Sequence, residues 1–144
     1  MPALTIRPSM TIVDASVVTA WFAKTETSFQ ARAFIRHPSL SAPEFLRIEL
    51  TSSLLKRVRA GMLPPAAPAE AVASLDRLVH HFHDDGRLLA PATELALRHN
   101  HKIYDCLYLA LCLDRQEPLA TADRRMADVA RALSIQTELI GPSL

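Results

Sequence analysis

Asp14, Asp105 and Asp123 each stand where an apolar run meets a following helical pattern. Asp14 follows the β-branched, apolar Thr11-Ile12-Val13 and precedes the apolar stretch 17–22. Asp105 opens "CLYLALCL", a run too apolar to lie on a surface, and Asp123 follows "PLATA". Glu49 lies beside the apolar stripe of Leu46, Leu50, Leu54 and Val58 rather than opposite it. Taken singly, the three aspartates read as helix caps or first-turn acids, which satisfy orphan N–H groups and meet the positive end of the helix dipole. Glu49 alone reads as a solvated glutamate. Taken together the aspartates suggest more. Carboxylates gathered in one crevice repel unless a cation lies among them, and hard divalent cations take oxygen ligands. Glu44, Glu70, Glu94 and Asp128 read as ordinary helix-surface acids.

Gathering such acids is the work of the elements around them. The pattern predicts strands at 10–13, 40–42, 87–91 ("RLLAP"), 118–121 and 135–140. It predicts helices at 16–23, 28–36, 43–59, 68–82, 93–99, 103–115 and 124–133, with Pro43 in the first turn of its helix, where no N–H is needed. "AGMLPPAAP" reads as a connector. Short strands alternating with helices imply a parallel sheet covered on both faces, a three-layer α/β/α sandwich. The carboxyl ends of such strands share one edge, and ligands bind there where the strand order reverses. The acids after the first and fourth strands, Asp14 and Asp123, are then expected to converge.

The chain has 144 residues, of which 49% are hydrophobic and 22% charged, with a formal net charge of +1. These values describe an ordinary globular protein, expected to form one domain over 1–144 and to bury roughly 68–70% of its unfolded surface. Cys106 and Cys112 have no metal or redox spacing and read as buried free thiols. "MPALTIRPSM" lacks a signal-peptide core, and no apolar run is long enough to span a membrane, so a cytoplasmic protein is expected.

"VDAS", "APEFLRIELTSSLL", "KIYDCLYLALC" and "LATADRRM" resemble the four signature blocks of the PIN-domain nucleases, and of the VapC-type toxins in particular. The resemblance spans about residues 11–135, with the blocks in the family's order. It implies a PIN-like fold in which Asp14, Glu49, Asp105 and Asp123 hold Mg²⁺ or Mn²⁺ for hydrolysis of RNA. Ser16 and Thr121 match hydroxyl positions near that pocket. Ser52, a shorter donor, stands where many relatives carry asparagine. The resemblance also implies a VapB-type antitoxin whose C-terminal segment lies across the active-site groove, and a homodimer. Trp21, Phe22 and Phe29 are candidate contacts for either interface, with core packing as the alternative.

The four acids mask a basic surface. Setting them aside from the 15 Asp and Glu leaves 11, against 16 Lys and Arg, a balance of +5 outside the pocket. Arg47, Lys56, Arg57 and Arg59 cluster around Glu49 in the sequence, and Arg124 and Arg125 follow Asp123, so these six are candidate RNA contacts. His99, His101 and Lys102 read as solvated surface. "HHFHDD" places His80 and His83 on one helix face, a weak pointer to zinc without a further ligand pair. "DASV" lacks the second aspartate that dehalogenase-type chemistry needs, and the acids do not fit a response-regulator receiver. The rival from another class is a catalytically silent PIN-like module that binds RNA or protein.

Overall fold

The computed structural model describes residues 10–141. Five strands, β1 (Thr11–Val13), β2 (Leu40–Pro43), β3 (His81–His83), β4 (Leu119–Thr121) and β5 (Thr137–Leu139), form one parallel sheet in the order β3-β2-β1-β4-β5. Helices α1 (Ala15–Phe22), α2 (Ser28–Arg32), α3 (Leu46–Arg59) and α4 (Ala67–Leu78) lie in the crossovers from β1 to β3. Helices α5 (Asp85–His99), α6 (Ile103–Arg115) and α7 (Arg124–Ala132) lie in those that run the other way along the sheet. Right-handed crossovers put the first group on one face and the second on the opposite face. The result is the expected α/β/α sandwich.

Burial follows the apolar pattern. β1, β2 and β4 are buried throughout, as strands of a doubly covered parallel sheet must be. Leu46, Leu50 and Leu54 give α3 its buried stripe, while residues 105–112 of α6 are buried on every side. Cys106 and Cys112 are free and buried there. No helix among the described residues is long and apolar enough to cross a membrane.

Several elements differ from the sequence expectation, each for a local reason. The third strand is His81–His83, and "RLLAP" lies inside α5, where Leu88, Ala92 and Leu95 form its buried stripe. β3 is an edge strand with an exposed or half-buried face, so no apolar run marks it. The helix expected over 68–82 therefore stops at Leu78, and Val79 turns to extended backbone. His80 and His83 flank or occupy a strand instead of sharing a helix face. His80 Nδ1 accepts the Leu40 N–H at 3.0 Å. Pro43 ends β2 instead of opening α3, because the next N–H, of Glu44, continues the sheet by donating to His83 O at 2.9 Å. The helix expected over 28–36 is α2 followed by a 3₁₀ turn, Ala33–Arg36.

Of the three aromatics expected at an interface, Trp21 is core: it is buried, and its Nε1–H donates to Ala31 O at 2.7 Å. Phe22 is half-buried against that core, and Phe29 is 80% exposed.

Candidate active site

The strand order reverses at β1 and β4, and their register pairs Val13 with Ala120. The next position on each strand, Asp14 and Thr121, therefore meets its counterpart at the carboxyl edge of the sheet. The Thr121 hydroxyl donates to Asp14 Oδ2. Asp14 Oδ1 accepts the backbone N–H groups of Ser16 at 3.1 Å and Val17 at 3.2 Å, which caps α1, and the Ser16 hydroxyl at 2.5 Å. The two hydroxyls also hold the loop after β4, since Ser16 Oγ accepts Ala122 N–H at 2.9 Å and Thr121 Oγ1 accepts Asp123 N–H at 3.0 Å. Asp14 is thus a helix cap and a buried acid at once. Burial raises its carboxyl from 3.8 to about 6, against the pull of these donors, and the charge of Asp105 adds to the rise.

Glu49 lies on α3, beside the buried leucines. Burial lifts its carboxyl from 4.5 to about 7, and the charges of Asp105 and Asp14 push the same way. The Tyr108 hydroxyl stands near enough to favour the charged form, yet no hydrogen bond of good geometry closes between the two. Glu49 Oε1 is buried without a hydrogen-bond partner among the described residues. Asp105, in the first turn of α6, is buried, with His101 Nε2 at 2.8 Å and Lys102 Nζ at 3.7 Å from its Oδ2. Asp14, Glu49 and Asp105 therefore feel one another's charge. Asp123 faces its own helix: its Oδ1 caps α7 by accepting Arg125 N–H at 2.9 Å and Met126 N–H at 3.2 Å.

A groove of about 810 Å³ opens beside these acids, lined by Ser16, Glu49, Ser52, Lys56, Arg57 and Tyr104 among others. The remaining basic residues lie elsewhere. Arg47 is held by Glu44 and Asp76 with its guanidinium 3.9 Å over the Phe82 ring. Arg59 lines an adjoining groove on α3 that shares Ile48 and Ser52 with the first. Arg125 donates to Asn100 O at 3.1 Å, and Arg124 is exposed.

The donor set is all oxygen and carries an orphaned buried carboxylate oxygen, the chemistry a hard divalent cation takes. As the side chains stand, no three His, Cys, Asp or Glu residues among the described ones are gathered tightly enough to hold an ion. Asp123 Oδ2 takes no part in the helix cap. The spacing that pointed to zinc is not realised, because His80 and His83 do not share a helix face and His80 Nδ1 is taken by the Leu40 N–H.

Two features at the site escaped the sequence reading. His101 is buried and bonded to Asp105 instead of solvated. Phe45 and Tyr104 stack with ring centroids 4.9 Å apart, 11° from parallel, and both line the groove.

A parallel α/β sheet with acids and a groove at its switch point is the frame of a ligand-binding or catalytic α/β protein. The family model for the PIN domain matches residues 11–132, and the chain belongs to the PIN-domain family. Ribonuclease VapC3 of Pyrobaculum aerophilum is 33% identical over 128 residues, covering 85% of this chain and 95% of the relative. Ribonuclease VapC1 of Mycobacterium tuberculosis is 29% identical over 130 residues, 90% of this chain and 96% of the relative. Two crystal structures share the fold. PAE2754 of Pyrobaculum aerophilum superposes with a TM-score of 0.70 at 19% identity, covering 93% of this chain and 89% of that one. VapC20 of Mycobacterium tuberculosis, described as a sarcin-ricin loop cleaving toxin, gives 0.66 at 17% identity, covering 82% and 93%.

Proposed function

We propose that this protein is a divalent-metal-dependent endoribonuclease, the toxin of a toxin–antitoxin pair. The observation that carries the reading is the set of mutually repelling acids Asp14, Glu49 and Asp105 beside a groove with Lys56 and Arg57, in a chain whose relatives are named ribonucleases. Asp14, Glu49, Asp105 and Asp123 would hold Mg²⁺ or Mn²⁺. Such a cation, when bound, offsets charge building on the scissile phosphate and makes water a better nucleophile. The rest belongs to the chain. Ser16 and Thr121 fix the Asp14 carboxylate, and His101 fixes that of Asp105. Lys56 and Arg57 bind backbone phosphates, with Arg57 steadied by Ser53 through Nη1 contacts of 3.1 Å to its carbonyl and 2.7 Å to its hydroxyl.

The inhibitor is proposed to be a VapB-type antitoxin that places a basic side chain among the acids. Of the three aromatics, Phe29 is the most exposed and is the leading candidate contact for the antitoxin or for a homodimer. These assignments are tested by cleavage of RNA. Asp14→Asn, Glu49→Gln, Asp105→Asn and Asp123→Asn should each lower the rate by roughly 100-fold or more, since changes one shell further out already cost 10–100-fold. EDTA should stop the parent protein. Undiminished cleavage in EDTA would overturn the metal assignment.

A further inference from the structure

Tyr104 lies in the first turn of α6, whose residues 105–112 are buried, yet it is 52% exposed, and it sits next to Asp105. One face of its ring lies on Phe45, at 4.9 Å between centroids and 11° between planes. Phe45 is half-buried against the core, so the pair has a fixed base and an open outer face. Phe45 is also one helical turn before Glu49, whose N–H donates to Phe45 O at 3.0 Å. The stack therefore adjoins two of the acids. Ala15, Thr19 and Ala122 add no charge to the groove, whose charged residues beyond Glu49 are Lys56, Arg57 and Glu26.

Large exposed aromatics at a polyanion groove have a specific use. A planar base laid on Tyr104 would extend the Phe45–Tyr104 stack by one layer, and stacking accepts any base because every base has a π-face. A base inside an A-form duplex is already paired and stacked on both faces, so it offers nothing to such a platform unless it is displaced. Building on the nuclease reading above, we propose that Tyr104, backed by Phe45, is the platform on which one unpaired base of the RNA stacks in this groove. Lys56 and Arg57 bind the phosphates of the same strand further along the groove. The platform selects for strand state and places the backbone, while sequence choice falls to other contacts.

The test uses labelled oligoadenylate, alone and annealed to oligouridylate, with binding read by fluorescence anisotropy in Ca²⁺, which takes the same oxygen ligands. The parent should bind the single strand more tightly than the duplex. Tyr104→Ala should weaken the single strand by about 5- to 150-fold, leave the duplex unchanged and leave the salt slope unchanged. Tyr104→Phe should keep the parent's affinity, and Tyr104→Leu, which keeps apolar bulk without a ring, should lose it. An abasic single strand should bind parent and Tyr104→Ala equally. Parent-like affinity in Tyr104→Ala and Tyr104→Leu, or equal binding of single strand and duplex by the parent, overturns the platform. If Tyr104→Ala keeps RNA affinity and loses only a protein partner, the stack is a docking face and the inference also falls. Cleavage of cellular RNA by the parent, assayed with Mn²⁺ in parallel, keeps the two readings apart: no cleavage sinks the nuclease, whereas cleavage with an indifferent Tyr104 sinks the platform alone.

Discussion

An ionised carboxylate can only accept, so the 2.8 Å contact between Asp105 and His101 puts a proton on Nε2. Among the described residues no hydrogen-bond partner reaches Nδ1. A histidine in that position fixes the rotamer of the acid, as outer-shell groups fix metal ligands. His101→Leu keeps the volume and removes the donor. It should lower Mn²⁺ affinity by about 10–100-fold, read by calorimetric titration, while His101→Gln should recover part of it. Parent-like affinity in His101→Leu would reduce the residue to packing. "HNHKIYD" gives no hint of this, because four polar residues in a row read as solvated loop. The tucking comes from Asn100, whose left-handed backbone (φ 48°) ends α5 and returns His101 N–H to Ala96 O at 3.2 Å. Asp14, by contrast, was legible, since an acid wedged between a β-branched strand and an apolar helix must have either donors or a counter-ion. It has the donors, and burial still holds its carboxyl above the ordinary range.

At the scale of elements, α3 does most to assemble the site. Its leucines at four-residue spacing anchor it to the core, its half-buried flank carries Glu49, and its later turns carry Lys56 and Arg57 to the groove. The sequence marked this helix well, because a four-residue repeat is unmistakable, and it marked β1 and β4 through runs buried on both faces. It did not mark β3, because an edge strand of His-Phe-His has no buried run, and of the apolar Leu88-Leu89 that follows, Leu88 belongs to a helix stripe and Leu89 is exposed. Nor did spacing along α3 separate the basic residues that face the groove from those that do not. Arg47 shares the helix with Lys56 and Arg57, yet it is held by two acids and an aromatic ring. The Lys56→Ala, Arg57→Ala double variant should therefore bind single-stranded RNA more weakly and reduce the slope of log affinity against log salt by about 1.4, or 0.7 for each phosphate left without its cationic side chain. Arg47→Ala should leave that slope as it is and lower the melting temperature instead. A slope unchanged in the double variant would place the RNA on another face.

Across the whole molecule, the sheet edge that concentrates the acids also works against folding without a cation. Asp14 and Glu49 ionise in the folded protein near 6 and 7, above their ordinary values of 3.8 and 4.5. Between about pH 4 and 7 the folded state keeps protons that the unfolded state has released, so metal-free stability falls as pH rises and levels off above that window. For Asp14 alone the rise corresponds to roughly 3 kcal/mol of stability present in acid and lost by neutral pH. A cation that binds only the folded form opposes the loss, adding about 2.7 kcal/mol at a hundredfold excess over its dissociation constant. In a domain of this size that is a rise in melting temperature on the order of 10 °C. Asp14→Asn keeps an oxygen for the α1 cap, and its amide can donate to a Thr121 hydroxyl turned to accept. It removes one ionising group and one ligand. Thermal melts in EDTA should show the parent losing stability from pH 4 to pH 8 and the variant losing less, so that the variant melts higher at pH 8. With Mn²⁺ at pH 8 the parent should gain more than the variant, which narrows the gap between them. Parallel pH profiles in EDTA with equal Mn²⁺ shifts would mean that Asp14 does no more than cap its helix.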